Sequence, residues 1–478
     1  MDTTLFTFAA AKDDTLNFAN KRKTMTAQQS SPIFLAAFWI ICSTIFLSPA
    51  PAQAASFYVA PSGSDTYPGT ASRPFATLQK AADTVTPGDT VSVRDGHYRG
   101  FRLSTSGTPA QRIVFSAAST AAVIDSGNSD GYGILLSGVS YITIQGFTIK
   151  NVANMGIAHR NASPDNPVHG LVIRGNTIVR SQSVGMYFSE IMDSLIENNE
   201  VDHCGLEGTH CVYMANAGTG NTTIRGNSLH HCLKAGIHFN GDESVGGDGI
   251  ISGLIVEQNT IYSNGLNALN MDGVQDSIVR NNLIYDNIGN GIRAFRIDAS
   301  EGPKNLTIVN NTIIVPQNSG GWAVRITAEQ GGNTVFNNIL LSESDVWGGS
   351  IAIDHDSIGF SSSHNIVINR FTPDRDDTML TLKQWQALGY DNGSFLAGTN
   401  SLFIDPDAGD YRLIKTSPAI DAGIRSFAGR AAPDNDILSG TRPQGANVDI
   451  GAYEFSATSP PPPSTPQTAC LPFIPLLL

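Results

Sequence analysis

Apolar and polar residues alternate in short runs along the middle of the chain, and the runs recur. Leu171-Val-Ile-Arg-Gly-Asn176-Thr-Ile returns as Ser194-Leu-Ile-Glu-Asn-Asn199, Thr222-Thr-Ile-Arg-Gly-Asn227 and Leu254-Ile-Val-Glu-Gln-Asn259. Further copies are Ser277-Ile-Val-Arg-Asn-Asn282, Leu306-Thr-Ile-Val-Asn-Asn311 and Asn333-Thr-Val-Phe-Asn-Asn338. An earlier one, Tyr141-Ile-Thr-Ile-Gln-Gly-Phe147, carries Phe at the Asn position. Strict alternation predicts a strand with one buried face. Successive Asn residues lie 23 to 32 positions apart, the period of stacked coils. A lone coil of this size cannot bury its apolar face, whereas a stack of them can.

The recurrent Asn is expected at a tight turn between strands, where left-handed backbone is tolerated and the side chain can bond nearby backbone. Stacked coil on coil, these Asn residues would form a hydrogen-bonded ladder, the signature of an all-β parallel β-helix. A second strand recurs between the Asn turns: Gly156-Ile-Ala-His, Gly185-Met-Tyr-Phe, Cys211-Val-Tyr-Met, Gly236-Ile-His-Phe, Ala268-Leu-Asn-Met, Gly291-Ile-Arg-Ala and Ala323-Val-Arg-Ile. With its second and fourth positions inward, the third points out.

The flanks read as caps. Phe75 to Asp83 is predicted to be an amphipathic helix closing the N-terminal end of the stack, and Leu382 to Leu388 a short helix after the period fades near Asp356. The expected organisation is a signal peptide over 1–54, a cap and first coils over 55–130, the β-helix over 131–356, a C-terminal module over 357–456 and a Pro-rich tail over 457–478. The leader has a basic Lys21-Arg22-Lys23, an apolar stretch from Ile33 to Leu47 and a small-x-small Ala52-Gln53-Ala54. That is the layout of a secretory signal peptide, so the protein is expected to be secreted, in the periplasm, outside the cell or at its surface.

Phe57-Tyr-Val-Ala-Pro-Ser-Gly-Ser-Asp65, Pro68-Gly-Thr, Arg73-Pro-Phe-Ala-Thr-Leu-Gln-Lys-Ala and Pro87-Gly-Asp-Thr-Val resemble the opening of secreted bacterial right-handed β-helix proteins of the pectate-lyase-like superfamily. Ser417 to Gly423 and Val448 to Glu454 resemble the choice-of-anchor region that ends many of them. The resemblance implies a right-handed parallel β-helix that is exported. Its reactions are diverse, because the superfamily includes lyases, epimerases, hydrolases and members of no known activity.

Composition narrows the partners. Of 478 residues only 15% are charged, and the net charge is −13. An acidic surface argues against nucleic acid, which needs a basic footprint. No stable membrane span is expected in the mature chain, and a monomer is expected. An acidic polysaccharide is the expected partner.

The outward third positions form a column: Ala158, Tyr187, Tyr213, His238, Asn270, Arg293, Arg325 and Ala352. At about 4.8 Å per coil, Tyr187 to Arg325 spans roughly 24 Å, room for several sugar units. Arg160, Asn240 and Asp272, two residues further on, are expected to line the same groove, with Arg296 just beyond. Such a groove suits β-elimination from a uronate polymer: the carboxylate is neutralised, a base removes the C5 proton, and an acid protonates the departing O4. Lys234 is the first candidate base, because nearby Arg293 and Arg296 would depress its pKa. His238 and His210 are rivals for base or acid, and Tyr213 for proton donor. Tyr187, Asn240, Asn270, Arg325 and Arg160 are candidate substrate contacts, the arginines because guanidinium pairs bidentately with carboxylate.

Asp242, Asp248 and Asp272, beside the Gly-rich insertion Asn240 to Gly249, are candidate Ca²⁺ ligands. Asp242 and Asp272 also form a candidate glycosidase pair. The alternatives to a lyase are a mannuronan-type C5-epimerase, a glycoside hydrolase and a non-catalytic glycan binder. Three His-Cys dipeptides (203–204, 210–211, 231–232) lack the spacing of a cysteine zinc site. Cys204 and Cys232 each lie five after a recurrent Asn, so they are expected to stack, as a disulfide or as buried thiols. Asp434, Asp436, Asp449 and Arg442 read as an internal ion-pair scaffold.

Overall fold

The computed structural model describes residues 54–205, 209–345, 347–354 and 357–456. The expected signal peptide through Gln53, the Pro-rich tail and Asp356 lie outside the described residues. Short strands repeat in threes along the chain and stack into three long parallel sheets of 12, 11 and 12 strands. The first sheet runs from Ser56–Val59 to Ser361–Ser363, the second from Phe101–Leu103 to Phe371–Thr372, and the third from Gly96–Arg99 to Phe395–Leu396. This is the all-β parallel β-helix expected from the repeats. Its strands run past both ends of the expected 131–356 segment, because the outermost coils keep the alternating apolar pattern without the recurrent Asn.

The inward rows are continuous. Ile144, Ile173, Ile196, Ile224, Val256, Val279, Ile308 and Val335 are all fully buried in the first sheet. The Asn ladder is present: each Nδ2 donates to the next Oδ1 at 2.9–3.1 Å from Asn176 through Asn199, Asn227, Asn259, Asn282, Asn311 and Asn338 to Asn365. Asp391 ends the row, accepting from Asn365 at 2.8 Å. One correction applies to the turn. The left-handed residue is the one before the ladder Asn, namely Gly175, Asn198, Gly226, Gln258, Asn281, Asn310 and Asn337. The ladder Asn turns inward so that its amide can reach both neighbouring coils, and the preceding residue takes the left-handed φ.

The N-terminal helix is shorter than expected, Leu78–Ala82, because the Thr77 side chain caps it by accepting from Lys80 N. Leu78 and Ala81 close the apolar core at that end. At the other end the helix Leu382–Ala387 inserts Trp385, fully buried and stacked on Phe371 at 5.2 Å. Beyond it, Leu402, Phe403, Tyr411, Leu413 and Ile450 pack on the outer face of the third sheet against Leu283, Ile314, Ile339 and Leu341. Arg442, fully buried, pairs with Glu454 at 2.8 Å and donates to the Asp449 carbonyl. The ion-pair scaffold therefore exists, with Glu454 as its carboxylate.

The disulfide is Cys211–Cys232, not Cys204–Cys232. Cys204 is a buried free thiol turned toward the preceding coil, where its Sγ lies 3.9 Å from the Ile178 carbonyl. Cys211 occupies the strand-start position that is Gly in neighbouring coils. There a Cβ on Gly236 would lie 2.3 Å from Ile261 Cγ2, so this position crowds the stack that holds Cys232. No helix among the described residues is long and apolar enough to cross a membrane.

Candidate functional site

The second sheet carries the expected outward column in register. Ala158 pairs with Tyr187, Tyr187 with Tyr213, Tyr213 with His238, His238 with Asn270, Asn270 with Arg293, and Arg293 with Arg325. Alternation puts Phe188, Met214, Phe239, Met271 and Ala294 in the core and leaves these polar groups outside.

At one end is an aromatic floor. Tyr132, Leu135, Met155, Ala158 and Val184 form a separate apolar cluster on the outer face, with Tyr187 and Tyr213 packed against it. Tyr187 and Tyr213 stack at 5.5 Å, and the Arg160 guanidinium sits 4.9 Å from the Tyr187 ring centre. Flat aromatic faces over an apolar base suit the apolar face of a sugar ring.

At the centre His210, Tyr213 and His238 form a packed trio. His210 stacks on Tyr213 at 5.5 Å and meets His238 edge-on at 4.6 Å. The hydrogen-bond network assigns the tautomers. The Ala235 N–H donates to His210 Nδ1 at 3.1 Å, so the His210 proton is on Nε2. That Nε2–H donates to His238 Nδ1, also at 3.1 Å, so His238 carries its proton on Nε2. Burial, reinforced by His238 and Lys234, pushes the His210 pKa down to about 3. Burial, with Lys234 and Arg293, takes His238 to about 4. Both rings are neutral at pH 7, and both Nδ1 lone pairs are engaged. The expectation of His210 or His238 as a base is thus corrected: His238 Nε2–H is a fixed hydrogen-bond donor. Burial and then the neighbouring Tyr187, Asp298, Asp242 and Asp272 push the Tyr213 phenol up to about 12, which keeps it protonated.

Lys234 is exposed, and its charge is felt by His210 and His238 rather than by the expected arginine pair. Arg293 lies above the Phe295 ring at 4.4 Å. Burial and Arg325 lower its pKa, partly offset by Asp272. Among the described residues Arg293 has no ion-pair partner, whereas Arg325 pairs with Asp376 at 2.7 Å. Arg296 is exposed and donates to the Ser300 carbonyl of its own turn at 3.2 Å, which removes it from the centre. Asn270 is fixed by the Asn267 amide at 2.8 Å, a contact that sequence pattern could not show because Asn267 lies outside the repeating positions.

The second expected column is mostly covered. Ser189, Ala215, Asn240, Asp272 and Phe295 are all buried beneath the turns that follow their strands. Asp272 accepts from Ile297 N at 2.8 Å and Asp298 N at 2.9 Å, one on each oxygen. Asp242 caps Ser244 N, and Asp248 accepts from Ile250 N. Asp242 and Asp248 serve their own loop and Asp272 the turn of the next coil, and the three do not converge into a ligand group. They do not fit a shared Ca²⁺. Nor can Asp272, 1% exposed and doubly hydrogen-bonded, act as a glycosidase nucleophile paired with Asp242.

The His-Cys dipeptides contribute differently from expectation. His231, from one of these dipeptides, gathers with His230 and Asp202 on the third sheet: Asp202 Oδ1 lies 3.0 Å from His230 Nδ1 and 3.4 Å from His231 Nδ1. Glu257, Arg225 and Arg280 of the first sheet line a separate cavity of about 330 Å³ against Pro433 and Asn435. Its Arg280 is bound to Glu257 at 2.7 Å.

Residues 57–205 match a family described as Pel9A-like, right-handed beta helix region, and residues 211–372 match one described as right-handed beta helix region. Among solved structures the chain is similar to pectate lyase Pel9A, with a TM-score of 0.59 and 14% identity over 85% of this chain and 97% of that one. It is also similar to XylC in complex with xylose, with a TM-score of 0.51 and 12% identity over 83% and 98%. The protein YwoF of Bacillus subtilis (strain 168), described as uncharacterized, is 25% identical over 65% of this chain and 74% of its own length. The fold is that of the pectate-lyase-like right-handed β-helices.

Proposed function

We propose that this is an exported, monomeric, polysaccharide-active β-helix protein, a lyase that cleaves a uronate-containing glycan by β-elimination. The observation that carries the reading is Arg293. It is a half-buried guanidinium in the outward column of the second sheet, between Asn270 and Arg325, with no ion-pair partner among the described residues. A partly desolvated cation held this way is completed by an anionic substrate group.

In this reading Arg293 pairs with the uronate carboxylate and makes the C5 proton more acidic. Lys234 is the group that takes that proton. The C5–H electron pair becomes the C4–C5 double bond as the C4–O4 bond breaks. Tyr213, kept protonated by burial, gives its proton to the departing O4. His238 Nε2–H and Asn270 orient the sugar, and Tyr187 and Arg160 hold the chain further along. Arg325, tied to Asp376, and Asn240, buried beneath its turn, shape the groove from behind. No step runs through Ca²⁺.

The test is ultraviolet absorbance of the unsaturated product, measured with the purified protein on a panel of uronate polymers, with added calcium and with chelator. A rise that is lost in Lys234→Ala is expected. Solvent proton exchange at C5 without cleavage would replace the lyase by an epimerase. Binding with neither cleavage nor exchange would make the protein a glycan binder.

A further inference from the structure

We propose that Asp202, His230 and His231 form a site for a borderline divalent transition metal ion of the Zn²⁺ class, on the third sheet and apart from the glycan groove.

The three ligand atoms already sit at coordination spacing. His230 Nδ1 and His231 Nδ1 are 2.8 Å apart, and Asp202 Oδ1 is 3.0 and 3.4 Å from them. A tetrahedral ion with metal–N and metal–O distances of about 2.0–2.2 Å separates its ligand atoms by about 3.3 Å, so only a few tenths of an ångström of adjustment is needed. Two imidazole nitrogens and one carboxylate oxygen make a donor set that selects Zn²⁺ and its neighbours over the hard ions Ca²⁺ and Mg²⁺.

Stacking assembles the set. Asp202 and His230 are register partners in adjacent coils. His231 follows His230 in a left-handed turn (φ 56), a conformation in which His is several-fold enriched. Cys232 comes next, and its disulfide to Cys211 ties that turn down. The ring of Tyr262 stacks on His230 at 4.6 Å, and His203 stacks on His231 at 4.7 Å.

The surroundings are those of a ligand sphere. His230 Nε2 faces Glu200 Oε1 at 3.7 Å, the carboxylate–imidazole relation that orients a metal-bound His. His203 Nδ1 contacts Asp202 Oδ1 at 2.5 Å. The His231 side chain is 34% exposed and Asp202 20%, which leaves an approach from solvent and a fourth position for water.

The test uses the full-length protein without a histidine tag. Co²⁺ is titrated while its visible absorption is followed, and Zn²⁺ affinity is then obtained by competition. One equivalent with the bands of a tetrahedral Co²⁺ site is expected, with a higher unfolding temperature that a chelator reverses. His231→Gln and Asp202→Asn should lose those bands and bind Zn²⁺ at least about tenfold more weakly. His97→Ala, whose imidazole pairs with Asp125 elsewhere, should bind like the wild type. His231→Gln is a conservative change on a half-exposed turn, so its circular dichroism should match the parent. Absence of a tetrahedral spectrum, or equal affinity in the folded His231→Gln variant, would overturn the proposal.

Discussion

Replacing Asn199 by Ala should cost about 4 kcal/mol of stability, while replacing its neighbour Asn198 by Gly should change stability by less than about 0.5 kcal/mol. The Asn199 side chain makes four hydrogen bonds. Its Oδ1 accepts from Asn176 N and Asn176 Nδ2, each at 3.0 Å, and its Nδ2 donates to Ile173 O at 2.9 Å and Asn227 Oδ1 at 3.0 Å. Truncation strands two buried donors on Asn176, a residue only 1% exposed. Each stranded donor costs about 1–3 kcal/mol, giving about 2–6 in sum. Asn227 Oδ1 keeps the Asn199 backbone N–H at 2.9 Å, so the damage is confined to one side of the ladder. Asn198 is exposed at φ 54, a conformation that Gly adopts freely. Urea unfolding followed by the fluorescence of buried Trp322 and Trp385 measures both variants. Equal costs at the two positions, or less than about 1 kcal/mol at Asn199, would refute the ladder as a source of stability.

Burial holds His159 neutral and lowers its pKa to about 4, although its Nδ1 contact with the Ser189 carbonyl pulls the other way. Between about pH 6.5 and 4 the unfolded chain binds the extra proton, so stability falls as pH falls; His159 accounts for about 3 kcal/mol of that fall. In His159→Phe the difference between denaturation midpoints at pH 7 and pH 4.5 should shrink, and an unchanged difference would contradict this. Peptide mass mapping should find Cys211 joined to Cys232 and Cys204 alkylated as a free thiol. Cys211→Ser should lower stability by about 3 kcal/mol, the chain-entropy value for a link across 21 residues. If Tyr213 is the proton donor, Tyr213→Phe should lower kcat far more than it changes KM, and Tyr187→Phe should leave kcat nearly intact; matching kinetics in the two variants would count against the assignment.

The solenoid was legible because its two strongest constraints are local and repeated. Period-two alternation sets which face is buried, and the Asn spacing sets coil length. Together they place Tyr187, Tyr213, His238, Asn270, Arg293 and Arg325 in one row, as the strand register shows. What repetition cannot encode is the path of the chain after each strand. Turns fold over Asn240 and Asp272, and Ile297 N and Asp298 N occupy the Asp272 oxygens, so the acidic loop does not become a shared metal cage. The disulfide was misassigned for a similar reason. Cys204 and Cys232 share a register position, but a crowded strand start brings Cys211 to Cys232 instead. His231 was read only as part of a His-Cys dipeptide and His230 was not singled out; the partner that gathers them, Asp202, lies 28 residues before His230 and is adjacent only through stacking.

The central claim is that Arg293 receives a uronate carboxylate, and isothermal titration with matched oligosaccharides tests it most directly. Uronate oligomers would be compared with the same oligomers after reduction of their carboxylates to alcohols, on wild-type protein and on Arg293→Ala. A charge-assisted contact at this half-buried guanidinium is worth about 1.5–3 kcal/mol, so wild-type protein should prefer the acidic oligomer by about 10- to 150-fold. Arg293→Ala should lose that preference while keeping its affinity for the reduced oligomer. Equal binding of acidic and reduced oligomers by the wild type, or a preference that survives Arg293→Ala, would contradict the account.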